Sequence, residues 1–414
     1  MFKKCTYVDN TLSQIIQENQ ATLLLGVSGS GKSTIIKDIS KNSDYKCLLT
    51  STTGISAVNL SGRTIHAAIG YRIGFSLSEI LMSENFKKIF PDLQKIDLII
   101  IDEISMLSNQ IFTLADNIFR TITKNYNTPF GGKKILMTGD FFQLPPVSDE
   151  PDPWVFQSKT WGMLNPQIIY LTKIHRQKDK NFIKIVEELK LGNTSKDIKE
   201  LLRPTFNKDI SKARPVKIRA YNKTVDRIND LEFNAVSGKE KTSIIKLSGE
   251  QPYIQELKFN LLPIRLVKMK IGCRIMTIIN NPKAGYMNGS LGTITGFKKN
   301  NPIIKFDSRE DEITVTKHSF EIQDNINKKK LATAIQYPIK LAYALTVHKC
   351  QSLTLDAVDY DLSGTFAPGM AYVAISRCKT LDNLSIKNYD PDLITASPVA
   401  CDWFLENCNE FSLI

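Results

Sequence analysis

At 414 residues the chain is longer than one hydrophobic core serves, roughly 250–300 residues, so two or more domains are expected. Hydrophobic residues at 42% and charged residues at 23% mark a soluble globular chain, and no apolar run approaches the ~20 residues of a membrane span, which excludes a transmembrane function. A formal net charge of +12 suits a polyanionic partner such as nucleic acid and equally suits general solubility, so composition leaves those two readings open.

The opening residues MFKKCTYVDN lack an apolar signal core, and a nucleotide motif follows them closely. The mature chain is therefore expected to start near Met1 and to work inside the cell, in cytoplasm or nucleus. The seven cysteines are odd in number and form no C-x-x-C pair, a pattern of reduced structural thiols and not of a disulfide framework or zinc site.

Residues 20–170 alternate apolar strand-like runs (Thr22–Leu25, Cys47–Thr50, Leu98–Ile101, Ile135–Thr138) with helical or loop stretches, which predicts a parallel sheet covered by helices. The first run leads into Gly26-Val27-Ser28-Gly29-Ser30-Gly31-Lys32-Ser33-Thr34 and then a helical pattern, the context a phosphate-binding P-loop requires. Its glycines let backbone N–H groups turn toward phosphates at a helix N-terminus. Lys32 would reach the β and γ oxygens, and the Ser33 hydroxyl would ligate Mg²⁺. The stretch from Ser61 to Pro91 reads as helix and loop, a small excursion from this domain.

The third run ends in Asp102-Glu103, where one carboxylate at a strand's C-terminal edge can hold Mg²⁺ and the next can orient an attacking water. Downstream of a P-loop, that pair points to hydrolysis. The fourth run leads into Thr138-Gly139-Asp140-Phe141-Phe142-Gln143-Leu144-Pro145-Pro146, where the Gln143 amide can sense a γ-phosphate without adding charge and the prolines stiffen its support. Arg176 and Arg377 are candidates to stabilise charge on a transferred phosphoryl, since a planar guanidinium suits phosphate oxygens.

A second alternating block runs from about Tyr170 to Arg274 and resumes near Gln336, with strands predicted at Val216–Ala220, Leu341–Leu345 and Leu384–Ile386. Between its two parts, residues 275–335 show short β-type runs separated by Asn-Gly, Gly and Asn-Pro turn signals, which predicts a small inserted β-barrel. The basic run Asn327–Lys330 within it reads as a solvated loop.

In this order the segments resemble a superfamily 1 helicase, and specifically the Pif1-like group, from about Leu23 to Ser385. Glu103-Ile104-Ser105-Met106-Leu107 leads through FTLADNIFRTI to Pro129-Phe130-Gly131-Gly132, similar to the stretch that distinguishes that group. Thr53-Gly54-Ile55-Ser56-Ala57 and Gly62-Arg63-Thr64-Ile65-His66 resemble motif Ia and the segment after it, Ala344–Gln351 resembles motif V, and Tyr372–Arg377 resembles motif VI.

The resemblance implies an α/β fold of two RecA-like domains with a small inserted SH3-like barrel. The corresponding spans are 1–170 with an excursion at about 61–91, 171–274, the insertion 275–335, and 336–414. It also implies ATP and Mg²⁺ as cofactors, Arg176 and Arg377 as arginine fingers, and 5′-to-3′ movement of a monomer on single-stranded DNA and at single/double-strand junctions. Thr52, Thr53, His66, Phe142, His348 and Lys349 fall in segments that line the DNA groove in that group, where polar groups hold phosphates and planar side chains stack on bases. For Phe141 and Phe142 the sequence leaves open which is core and which faces bases.

Two departures stand out. The group's upstream adenine-reading Gln has no match in Tyr7–Leu12, the nearest being Gln14, and motif V ends in Gln351-Ser352 where Gln-Gly is usual. A translocase that displaces bound proteins while unwinding poorly, or a nucleotide-gated DNA-binding module, are the alternatives. Strand displacement separates the first from a helicase, and the acidic Glu103 speaks against the second.

Overall fold

The structure, a computed structural model, describes residues 8–408 apart from 43, 72–74, 149, 252, 282, 287, 308, 325–328 and 352. Six parallel strands form the first sheet: β1 (Ala21–Gly26), β2 (Cys47–Ser51), β3 (Arg63–Thr64), β4 (Leu98–Asp102), β5 (Lys134–Gly139) and β6 (Gln167–Leu171), in the order β3-β2-β4-β5-β1-β6. Successive side chains of a strand point to opposite faces, and the apolar residues divide accordingly. Leu23, Leu25, Ile99, Ile101, Ile135 and Met137 enter one core. Leu24, Leu49, Leu98, Ile100 and Leu136 enter another, under the helices Val8–Glu18 and Lys32–Asn42. Continuous apolar runs are what a sheet buried on both faces needs. They also bring Gly26, Ser51, Asp102 and Gly139 to the same C-terminal edge, the end at which open parallel sheets bind ligands.

The Pro129–Gly132 stretch is a tight turn with Phe130 and Gly131 at φ 50° and 61°. Asp116, on the helix Asn109–Thr123, holds it: its Oδ1 accepts from the Phe130 N–H at 2.5 Å and from Arg120 Nε at 2.8 Å, and its Oδ2 from Thr160 Oγ1 at 2.8 Å. A Cβ on Gly131 would lie 1.9 Å from Thr123 Oγ1. The group's distinguishing stretch is thus, in this chain, a structural staple beside β5.

The second half is built around β7 (Val216–Arg219) and a β-rich insertion. The insertion holds β8 (Lys241–Ile244), β9 (Lys246–Gly249), β10 (Leu266–Met269), β11 (Arg274–Thr277), β12 (Leu291–Lys298), β13 (Asn301–Phe306), β14 (Glu312–Thr314), β15 (His318–Asp324), β16 (Lys329–Gln336) and β17 (Ile339–Leu341). They form a five-stranded sheet β14-β13-β12-β11-β17, a three-stranded sheet β15-β16-β9 and the ribbon β10-β8. β18 (Ala344–Thr346), β19 (Val358–Asp361) and β20 (Leu384–Lys387) then close a parallel sheet in the order β18-β7-β19-β20.

Two readings from sequence are corrected here. Leu341–Leu345 is not one strand: the chain leaves the insertion at β17 and enters the second parallel sheet at β18, because β17 pairs with β11 and β18 with β7. The β-rich region also begins before residue 275, at Lys241, since β9 pairs with β16, 83 to 89 positions downstream. Of the run Asn327–Lys330, Asn327 and Lys328 lie outside the described residues, while Lys330 is exposed in β16 and pairs with Glu321 at 2.6 Å.

The last helix, Pro398–Cys408, crosses back to the first half. Trp403 stacks on Phe156 (5.0 Å, 20°) and meets Phe141 edge-on at 5.0 Å, while Phe404 meets Phe142 at 5.1 Å.

Candidate functional site

The loop after β1 turns at Gly29 (φ 87°) and Gly31 (φ 93°), positions that tolerate no ordinary side chain. The Lys32 ammonium lies back on the loop, donating to the carbonyls of Gly26 at 2.7 Å and Val27 at 3.2 Å. Burial lowers its pKa, against the opposing pull of Asp140, Glu103 and Asp102. Ser33 and Asp102 line a common cleft of about 400 Å³, whose far wall comes from the second half, with Asn280, Asn288, Thr354 and Lys379.

Asp102 is 2% exposed, and its carboxylate accepts from Thr138 Oγ1 at 2.6 Å and Ser56 Oγ at 3.2 Å, which fixes its orientation at the end of β4. Glu103 follows in the left-handed region (φ 56°, ψ 46°), a conformation that costs a non-glycine residue about 1–3 kcal/mol and turns its side chain out of the strand's alternation. The Thr52 hydroxyl donates to the Glu103 carbonyl at 3.0 Å and helps hold that turn. A hydroxyl and a carboxylate are hard oxygen donors. They fit a Mg²⁺ ion that takes its remaining ligands from phosphates and water. No group of three or more His, Cys, Asp or Glu among the described residues gathers into a separate metal site.

Of the two arginines, Arg176 reaches the P-loop. Arg176 donates from Nη1 to Ser28 Oγ and, at 3.1 Å, to the Ser376 carbonyl, and from Nε to Thr354 Oγ1 at 2.9 Å. It therefore ties the first half to the second. Burial, with repulsion from Arg377, pushes its pKa down to about 9. Arg377 is 1% exposed and is held by its own helix end, through Val373 O at 3.0 Å and Ser376 Oγ at 3.2 Å. Lys32, Arg176 and Arg377 together with the buried Asp102, Glu103 and Asp140 give a site whose cations suit a polyphosphate with a bound divalent ion.

Gln143 sits in a relay between the two halves. Its Nε2 donates to Asp140 Oδ2 at 3.3 Å, and its Oε1 accepts from Gln351 Nε2 at 3.4 Å. The same Asp140 oxygen accepts from the Tyr372 hydroxyl at 2.6 Å, and that hydroxyl accepts the Ser28 N–H at 3.1 Å. A hydrogen-bonded path thus runs from the P-loop through Tyr372, Asp140 and Gln143 to Gln351. Sequence reasoning singled out Gln143 and missed Tyr372, Asp140, Gln351, Ser56 and Thr138 as site residues; each lies within a recognised segment, which was the available signal.

The nucleic-acid candidates fare unevenly. Thr52 and Thr53 are half-buried at the end of β2, beside Asn260 of the insertion, whose Cα would be 3.0 Å from a Cβ on Gly54. His66 and His348 are half-buried, with pKa values lowered by burial, and Lys349 is exposed. Phe142 is corrected: it is 3% exposed, in contact with Phe404, with Lys190 5.0 Å from its ring, so it is core and not a base-stacking surface. Phe141 is buried as well, among Trp154, Phe156, Trp161 and Trp403. Gln14 is exposed and donates to Glu18 at 2.9 Å. Tyr7 and Ser352 lie outside the described residues. No helix among the described residues is long and apolar enough to cross a membrane.

Residues 5–200 match the profile of the family described as PIF1-like helicase. The chain is 30% identical over 393 residues to the ATP-dependent DNA helicase Pif1 of Bdellovibrio bacteriovorus, covering 93% of this chain and 88% of that protein. It is 28% identical to the human ATP-dependent DNA helicase PIF1 over 92% of its own length, spanning 60% of the human protein. Among solved structures it resembles Bacteroides sp Pif1 in complex with ADP-AlF4, with a TM-score of 0.85 and 27% identity, covering 99% of this chain and 98% of that one.

Proposed function

The chain belongs to the PIF1-like helicases, and from that premise we propose that it is an ATP-dependent DNA helicase that moves 5′-to-3′ on single-stranded DNA and unwinds duplex at junctions. One observation supports the reading most: Arg176 bonds at once to Ser28 of the P-loop and to Ser376, the residue before Arg377. A guanidinium in that position exchanges protein partners for phosphate oxygens when nucleotide enters. The relation of the two halves then depends on what the P-loop holds.

In this mechanism Lys32 and the loop N–H groups bind the phosphates; Ser33 and Asp102 are the residues that would hold Mg²⁺, which would supply neutralisation of phosphate charge. Glu103, set on its left-handed turn, takes the proton of the attacking water. Arg176 and Arg377 stabilise charge on the γ-phosphoryl group. Loss of that group passes through Tyr372, Asp140 and Gln143 to Gln351 and the Val347–Cys350 helix, changing the second half's grip on DNA relative to the first.

The test is ATP hydrolysis with and without single-stranded DNA, for the parent and Glu103→Gln. DNA is expected to stimulate the parent, and the substitution to lower the stimulated rate by about 10²–10⁴, the range of a positioned general base. Hydrolysis indifferent to DNA, or undiminished in the variant, would overturn the assignment.

A further inference from the structure

The segment that leaves the insertion carries a lysine in an unusual place. Lys340 lies directly opposite Met276 in the antiparallel pair β17–β11. Directly opposed residues share a face, and Met276 belongs to the core cluster that also holds Leu291, Ala342 and Cys350. Lys340 is 9% exposed, on the same face of the pair as Met276. The charged or titratable groups that act on it are Lys349, which repels it, and the Cys350 thiol, both on the helix Val347–Cys350; no carboxylate among the described residues does so. Burial, then Lys349, pushes its pKa down to about 8.

A lysine this buried, with a second ammonium close enough to repel it, is costly unless an anion joins them. We propose that Lys340 and Lys349 form a phosphate-binding pair that holds one backbone phosphate of the DNA strand beside His348. A phosphodiester oxygen supplies the missing counter-charge and suits a chain of net charge +12. Of the two lysines only the exposed one was legible as a DNA contact from sequence. The inference rests on the helicase reading above.

The experiment is fluorescence anisotropy of a labelled oligo-dT, without nucleotide, titrated with the parent, Lys340→Met and Lys340→Arg over a series of salt concentrations and at pH 7 to 9. Methionine keeps the apolar stem and arginine keeps the charge, so a folding defect would separate from a lost contact. Lys340→Met is expected to weaken binding about 3- to 10-fold and to make the plot of log Kd against log salt shallower by about 0.7, one phosphate's worth on a single strand. Lys340→Arg should keep the parent's slope.

Only the protonated amine binds phosphate, so the parent should lose affinity as pH rises through about 8, while the Met variant stays flat there. Cys350, raised to about 11 by burial, titrates outside this window. A parent that binds while Lys340→Met keeps its slope and pH profile overturns the pair alone. A parent that does not bind the oligonucleotide overturns the helicase reading with it. A variant that keeps the DNA slope but loses affinity for a fluorescent nucleotide in the absence of DNA would assign Lys340 to the nucleotide and also overturn the proposal.

Discussion

The Tyr372 hydroxyl joins two charged neighbourhoods, donating to Asp140 at 2.6 Å and accepting the Ser28 N–H at 3.1 Å. Burial, reinforced by Asp140, raises its pKa well above the ordinary tyrosine range, so the proton stays on the hydroxyl. Removing that hydroxyl takes one donor from a carboxylate that is 4% exposed and leaves a P-loop N–H without its acceptor. Tyr372→Phe should cost about 1.5–3 kcal/mol, the range for a hydrogen bond to a charged group, read as a lower denaturant midpoint at unchanged m-value. It should also weaken the dependence of ATP hydrolysis on DNA, because the relay to Gln351 begins there. Sequence could not announce this role: in AYVAIS the tyrosine is one apolar-run residue among several, and its partners lie 232 and 344 positions away. The opposite error occurred at Phe142, whose motif context suggested a base-facing ring; the Phe404 and Lys190 that cover it come from distant elements.

At the scale of elements, the turn Pro129–Gly132 shows how a recognised stretch can be structural. Gly131 sits at φ 61° with Phe119 O 2.8 Å and Thr123 Oγ1 1.9 Å from where a Cβ would be, so the helix Asn109–Thr123 leaves room only for hydrogen. Gly131→Ala should therefore destabilise by about 2–4 kcal/mol, combining a left-handed penalty with overpacking, and the loss should appear in thermal or denaturant unfolding. Strands bracketed by glycine or ending in chemistry, such as β1, β4 and β5, were legible because burial on both faces demands unbroken apolar runs. β19, which lies between β7 and β20, was not: VDYD reads as polar, and Asp359 is tolerated there because it pairs with Arg219 at 2.8 Å and Lys387 at 3.0 Å. The strands β8 and β9 were missed for a related reason. Lys246 is exposed and Lys241 lies over the Phe297 ring, in strands whose partners lie farther along the chain.

Across the whole molecule, the insertion is tied to the first half by Arg63 and Glu256. The guanidinium makes Nε contacts of 3.0 and 3.3 Å and an Nη2 contact of 2.8 Å to the carboxylate, with the Tyr253 ring 5.1 Å away. The side chains are only 12% and 7% exposed. Breaking such a pair from one side leaves an uncompensated buried charge, so Arg63→Met or Glu256→Leu should each cost about 3–5 kcal/mol. The double variant Arg63→Met with Glu256→Leu should return to within ~1 kcal/mol of the parent, measured in a double-mutant cycle by chemical unfolding. A cycle with no coupling would mean that the two halves meet without depending on this contact.

What the sequence alone determined was local: the P-loop, the acidic pair at the end of β4, the two arginine-bearing segments and the parallel character of the first sheet. Each is written in contiguous residues whose spacing the chemistry demands. Only the tertiary structure decided that Arg176 bridges Ser28 and Ser376, that Phe142 is covered, that the chain divides between β17 and β18, and that Lys340 is buried opposite Met276. These depend on pairings between distant segments, and the free energy that selects them, burial and electrostatic compensation, belongs to the packed whole and not to any window of the chain.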